Sequence, residues 1–197
     1  MAAKALAERF PRESVEIRHT ILKKFLGGNQ KDMEWASRYL RVHWTRSMSS
    51  LVRCRWRETH NPVIAQVVIR HLPDDFVMAE KDRLADVAGY PYVCARLVKV
   101  KGFVIDDSRL STPDYLYVLA KGGRGMADHS VIEERLDSYL NEDGWTSSRD
   151  LGLVLWALGQ LGLSETIIRR IPAFERRMGK ATAFEGMAPF GLEDNPF

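Results

Sequence analysis

Between Trp35 and Arg57 the chain carries six arginines, Arg38, Arg41, Arg46, Arg53, Arg55 and Arg57, and no acidic residue. Trp35, Tyr39, Trp44 and Trp56 are interleaved with them. A guanidinium is a planar fork that pairs with phosphate oxygens and stacks on bases, and aromatic rings offer stacking faces. The pattern therefore reads as a surface for RNA or another polyanion, one that positions a protein on a backbone without reading its sequence. The competing reading is a solvated or protein-facing helix surface whose arginines pair with acids elsewhere in the chain. Trp44 falls on an apolar stripe and reads as core more than as a stacking platform.

Other residues offer less. The chain has no GxSxG, no HExxH and no glycine loop ending in Lys-Ser/Thr. Lys121-Gly122-Gly123-Arg124-Gly125 has the composition of a phosphate cradle, but it also stands where a helical hairpin needs a turn, which accounts for its glycines. Asp74-Asp75, Asp106-Asp107 and Glu133-Glu134 are acid pairs whose adjacent side chains do not converge as acid and base must. His19, His43, His60, His71 and His129 share no ligand spacing with one another or with Cys54 and Cys94. Two distant thiols suit a reducing compartment better than a disulfide framework. No catalytic residue, metal, cofactor or small-molecule substrate is expected, and the chain reads as a binding protein, not an enzyme.

The elements that would position the arginines are helical. At 197 residues, 45% hydrophobic and 28% charged, the chain is long enough for a sizeable core, and its net charge of +3 does not by itself announce nucleic acid. No apolar run approaches the roughly 18 residues of a membrane span. Met1–Arg12 has no secretory apolar region, being broken by Lys4, Glu8 and Arg9; it is amphipathic enough for an organelle-targeting segment, although Glu8, Glu13 and Glu16 count against that. Residues 1–30 read as an N-terminal helical arm with Ser14 capping a helix that breaks at Gly27-Gly28-Asn29. Residues 31–58 read as one long helix with Leu40, Trp44, Met48 and Leu51 on one side and Arg38, Arg46, Arg53 and Arg57 on the other. Asn61-Pro62 starts a further helix, and Glu80–Ala88 reads as another. Residues 92–105 are open between helix and a small β element, since Val98, Val100 and Phe103 suit a sheet. The arginine-rich region so defined spans 31–110.

Residues 111–172 contain an internal repeat. Ser111–Leu119 aligns without a gap on Ser147–Leu155, with Ser111/Ser147, Asp114/Asp150, Val118/Val154 and Leu119/Leu155 identical. Farther along, Gly123 meets Gly159, Asp128 meets Ser164, and Val131-Ile132 meets Ile167-Ile168. Each copy reads as a helical hairpin: a serine cap, an apolar helix face, a glycine stop, then Asp128 or Ser164 capping the second helix. Ser130 and Glu133 form a capping-box pattern. Residues 173–197 read as an extended tail, held by a neighbouring chain or folded back on its own domain, with Phe174, Phe184, Met187, Phe190 and Phe197 as anchors.

Asp150–Leu163, DLGLVLWALGQLGL, resembles the LANxLWALAxLG core of helical-hairpin repeats in organellar RNA-binding proteins, the FAST-kinase-like and RAP-domain proteins and the octotricopeptide and heptatricopeptide repeat proteins. Leu151, Leu155, Trp156, Ala157, Leu158, Leu161 and Gly162 carry the likeness; the copy at 114–125 departs from it, with Ala120-Lys121-Gly122 in place of Trp156-Ala157-Leu158. The resemblance lies mainly within residues 111–171 and transfers no catalytic residue. It implies a mainly α fold, an organelle and an RNA-linked assembly. The expectation is a structural subunit of a mitochondrial ribonucleoprotein, the ribosome first, in the matrix or otherwise in the cytoplasm, with RNA and other protein subunits as partners. An accessory subunit of a respiratory complex or ATP synthase, and a small enzyme of unrecognised type, are the alternatives. Six phosphate contacts would make binding fall by orders of magnitude as salt rises.

Overall fold

The computed structural model describes residues 10, 13–123, 128–143, 146–179 and 181–182. The fold is mainly α, and the chain divides into two compact units, Met1–Ala88 and Gly89–Phe197. The division falls at Gly89, whose φ of 107° suits glycine alone; the border expected at 110/111 lies inside the second unit.

In the first unit, α1 (Val15–Leu26) starts where Ser14 accepts from the Ile17 N–H, as the sequence implies. After Gly27-Gly28, Asn29 and Asp32 form a reciprocal capping box that opens α2 (Gln30–Val42). The expected long helix then breaks. His43 to Thr45 leave helical geometry, a 3-10 turn follows at Arg46–Met48, and α3 runs Ser49–Thr59. No glycine or proline marks this break. Its cause is tertiary: the Trp44 ring stacks on His71 at 4.8 Å, and His71 Nε2 donates to the Arg41 carbonyl at 3.1 Å, satisfying an acceptor that the helix end would leave open. The break also re-aims the apolar stripe, which on α3 is Val52 and Trp56, with Leu51 only half-buried.

His60, in the left-handed region at φ 46°, ends α3. Asn61 then caps α4 (Pro62–His71) by accepting from the Val63 N–H, with Pro62 in the first turn. Ile64, Ala65, Val67, Val68 and Ile69 are all buried because α4 packs on α2, on α3 and on α6 (Lys81–Ala88). That all-round apolarity is why the β-branched run is tolerated in a helix: it is the centre of the unit. The short α5 (Asp74–Ala79) places Phe76 and Val77 inward.

In the second unit, 92–105 contains no strand: α7 (Tyr90–Leu97) buries Val93, Cys94 and Leu97. Next come a 3-10 turn at Asp107–Arg109, α8 (Thr112–Gly122), α9 (His129–Asn141), α10 (Ser148–Leu161), α11 (Ser164–Arg169) and α12 (Ile171–Gly179). The two hairpins of the repeat are both present, with α8 packed between α7 and α10, and α9 against α12. Ser111 and Ser147 accept from the Asp114 and Asp150 N–H groups at 3.3 and 3.0 Å, so the aligned serines do the same work. The copies diverge at their glycines. Gly123 ends α8, but Gly159 lies inside α10, which runs on to Gly162 at φ 76°.

Asp128 caps α9, whereas Leu163, not Ser164, precedes α11 and supplies no side-chain cap. The Ser130–Glu133 capping box does not form, because Asp128 occupies the cap and Ser130 Oγ donates to it at 2.7 Å. The second hairpin's return helix is divided at Arg170, and Pro172 sits in the first turn of α12, where its missing N–H costs nothing. Residues 173–179, expected to belong to an extended tail, are thus helical. A two-residue parallel pairing of β1 (Thr146–Ser147) with β2 (Ala181–Thr182) closes the second hairpin.

Candidate nucleic-acid interface

The six arginines between Trp35 and Arg57 fall into three groups. Arg41 and Arg55 are occupied within the fold. Arg41 donates to Gln66 Oε1 at 3.1 Å, tying α2 to α4. Arg55 donates through Nε to the Leu26 carbonyl at the end of α1 and pairs with Glu58 at 3.1 Å. Glu58 also accepts from Cys54 Sγ; the Cys54 and Arg55 hydrogen bonds hold its carboxyl below the usual range, and Glu58 in turn pushes the Cys54 thiol up. A thiol so held is poorly suited to act as a nucleophile.

Arg38 and Arg46 are exposed, the first on α2 and the second in the 3-10 turn, and neither pairs with a carboxylate among the described residues. Arg53 and Arg57, one turn apart on α3, lie over the Phe76 ring with their Cζ atoms 4.9 and 5.4 Å from its centroid. They too have no acidic partner among the described residues.

The interleaved aromatics are spent on packing. Trp35 and Tyr39 stack on each other at 5.8 Å and meet Phe10, with Phe25 at 4.9 Å from Trp35. Trp56 is fully buried and donates through Nε1 to Glu80 at 3.0 Å. Trp44 is half-buried against His71. With these rings engaged, what the surface offers a polyanion is guanidinium charge. A cavity of about 20 Å³ lined by Phe10, Arg18, Tyr39, His43 and Met48 has room for about one water.

Comparison with known protein families, known proteins and solved structures found no match. The chain's own charge distribution is therefore the guide. The first unit holds 16 Lys and Arg against 11 Asp and Glu, a net of +5; the second holds 13 against 15, a net of −2. The mild overall charge conceals a basic half and an acidic one.

In the second unit several charged residues tie helices together. Arg170 bonds to Asp137 at 2.7 and 3.1 Å and to Glu133 at 2.8 Å, while Arg169 reaches Glu133 at 2.8 Å. Both carboxyls are held below the usual range, chiefly by the Arg170 hydrogen bonds. Arg177, buried over the Tyr139 ring, donates to the Glu142 carbonyl at the end of α9. Arg170 and Arg177 were not legible as anchors from sequence, since each is bound to a residue more than thirty positions away.

Of the acid pairs, Asp106 accepts from the Ser108 N–H and hydroxyl, and the Asp107 carbonyl accepts from Arg135, both roles belonging to the turn before α8. Lys121 lies over Tyr117 and Trp156, at 5.6 and 5.3 Å, while Arg124 and Gly125 of the glycine-rich loop lie outside the described residues. Phe174, expected in a partner-binding tail, is buried in the second unit's own core. Phe184, Met187, Phe190 and Phe197 lie outside the described residues. Among the described residues no group of three or more His, Cys, Asp or Glu is placed to hold a metal, and no helix is long and apolar enough to cross a membrane.

Proposed function

We propose that this chain is a non-catalytic structural subunit of a large organellar ribonucleoprotein, the mitochondrial ribosome, contacting RNA phosphates through its first unit and neighbouring proteins elsewhere. The observation that carries the reading is the run from Trp35 to Arg57, free of acids, in which Arg38, Arg46, Arg53 and Arg57 have no carboxylate partner among the described residues. Unpaired guanidinium groups on one half of a nearly neutral chain are the electrostatic footprint of a polyanion partner. The packed aromatics favour contact with the backbone over stacking on bases. The resemblance of Asp150–Leu163 to organellar RNA-binding repeats supports the choice of compartment and assembly. Two hairpins are too few to read a long RNA, which suits a subunit held in place by neighbours.

The test is ultraviolet crosslinking of the intact protein to RNA in mitochondrial extract. An adduct is expected from the unaltered chain, and its loss from a variant carrying Arg38→Glu, Arg46→Glu and Arg57→Glu. An unaltered chain that yields no RNA adduct ends the reading, and binding to protein subunits alone would then favour an accessory subunit of a respiratory complex or ATP synthase.

A further inference from the structure

We infer that Arg53 and Arg57 act together as a clamp for a single phosphate, with Phe76 as its floor; the inference rests on the RNA-binding reading and names where on the basic surface the tightest contact lies. Residues four apart on a helix share a face, and like charges there repel. Here both guanidinium groups reach one ring, with their Cζ atoms 4.9 and 5.4 Å from its centroid, and the ring's negative face attracts each. Phe76 is only 6% exposed, so the floor is fixed by the core of the unit.

Arg53 Nε is shut off from solvent and bonded to nothing, which leaves the outer N–H groups as the ones a ligand can reach. Asp75 stands immediately before Phe76 in sequence, yet Arg53 and Arg57 form no ion pair with it among the described residues. Two cations on one ring, with no carboxylate partner among the described residues, are half of a binding site. A phosphate, with a negative charge and several acceptor oxygens, supplies the other half, because it can take a hydrogen bond from each fork at once. Arg41 and Arg55, with the same side chain, lack this capacity because Gln66, Leu26 and Glu58 already occupy them.

The experiment measures fluorescence anisotropy of a labelled single-stranded RNA titrated with the full chain at several salt concentrations. Arg53→Gln and Arg57→Gln should each weaken binding about tenfold. Because the two share one phosphate, the double variant should be little weaker than either single one. Its slope of log affinity against log salt should fall by about 0.7, the value for one lost contact on a single strand. Phe76→Leu should weaken binding with the slope unchanged, since charge is kept and only positioning is lost.

If the double variant binds as tightly as the unaltered chain while Arg38→Gln weakens binding, the clamp is wrong and the RNA reading stands. Additive losses with a slope change of about 1.4 also overturn it, as they would mark two independent contacts. An unaltered chain that binds no RNA, or only an acidic polypeptide, overturns both. Should the double variant lose helical content by circular dichroism, the single variants and Phe76→Leu decide.

Discussion

A charged side chain here can be read by the company it keeps, and Arg170 shows the opposite case to Arg53. Its side chain is 13% exposed and bound to two carboxylates on a neighbouring helix, Glu133 and Asp137, so its charge locks α9 to the bend between α11 and α12. Arg170→Gln would leave two acids facing a neutral group. The expected cost is about 1–2 kcal/mol, less than for a fully buried pair because both acids reach solvent. The sign of the pH dependence follows from the same bonds. Arg170 depresses both carboxyls, so their contribution is complete above the unfolded carboxylate range and is lost as pH falls through their lowered folded values. Thermal unfolding should therefore show the unaltered chain losing stability from about pH 5 downward and the Arg170→Gln chain losing less over the same interval. Parallel curves would show that the network contributes nothing.

Elements reveal which parts of the fold a sequence can announce. Several starts were legible: Ser14, Asn61, Ser111 and Ser147 cap the helices assigned to them, because a cap is a contact between residues two or three apart, whereas Ser164 does not cap α11. Stops and breaks were not, where the deciding contact is distant. The turn at 43–45 depends on His71, far along the chain, and Phe174 joins the core only because α12 folds back on α9 and α10. The repeat placed a stop at Gly159 by analogy with Gly123, but in the second copy that role passes to Gly162. Two substitutions of opposite sign test this assignment by urea denaturation. Gly159→Ala should stabilise by about 0.5–1 kcal/mol, since a helix interior favours alanine and a Cβ there meets nothing within 4 Å. Gly162→Ala should destabilise by about 1 kcal/mol, because φ 76° is costly for any residue with a Cβ. Equal effects at both positions would return the stop to Gly159. The arginine face was legible as composition, but which arginines are free was not, since only packing shows that Arg41 and Arg55 are occupied.

Across the whole molecule this distinction changes the size of the electrostatic effect. Six free arginines on a single strand would give a salt slope near −4 at about 0.7 per contact. With Arg41 and Arg55 bound within the fold and Arg53 and Arg57 sharing one phosphate, the contacts reduce to Arg38, Arg46 and the clamp, and the slope should be near −2. A fourfold rise in salt would then weaken binding by roughly 16-fold, against roughly 250-fold for a slope of −4. The net charge of +3 is a poor guide to this number, because counterions are released only where individual cations meet phosphates. Two measurements on the intact chain separate the possibilities. A slope near −2 that is unchanged by Arg41→Gln supports the division of the arginines described above. A slope near −4 would mean that Arg41 and Arg55 leave Gln66 and Glu58 when RNA arrives, and Gln66→Ala, which removes the competitor for Arg41, should then tighten binding.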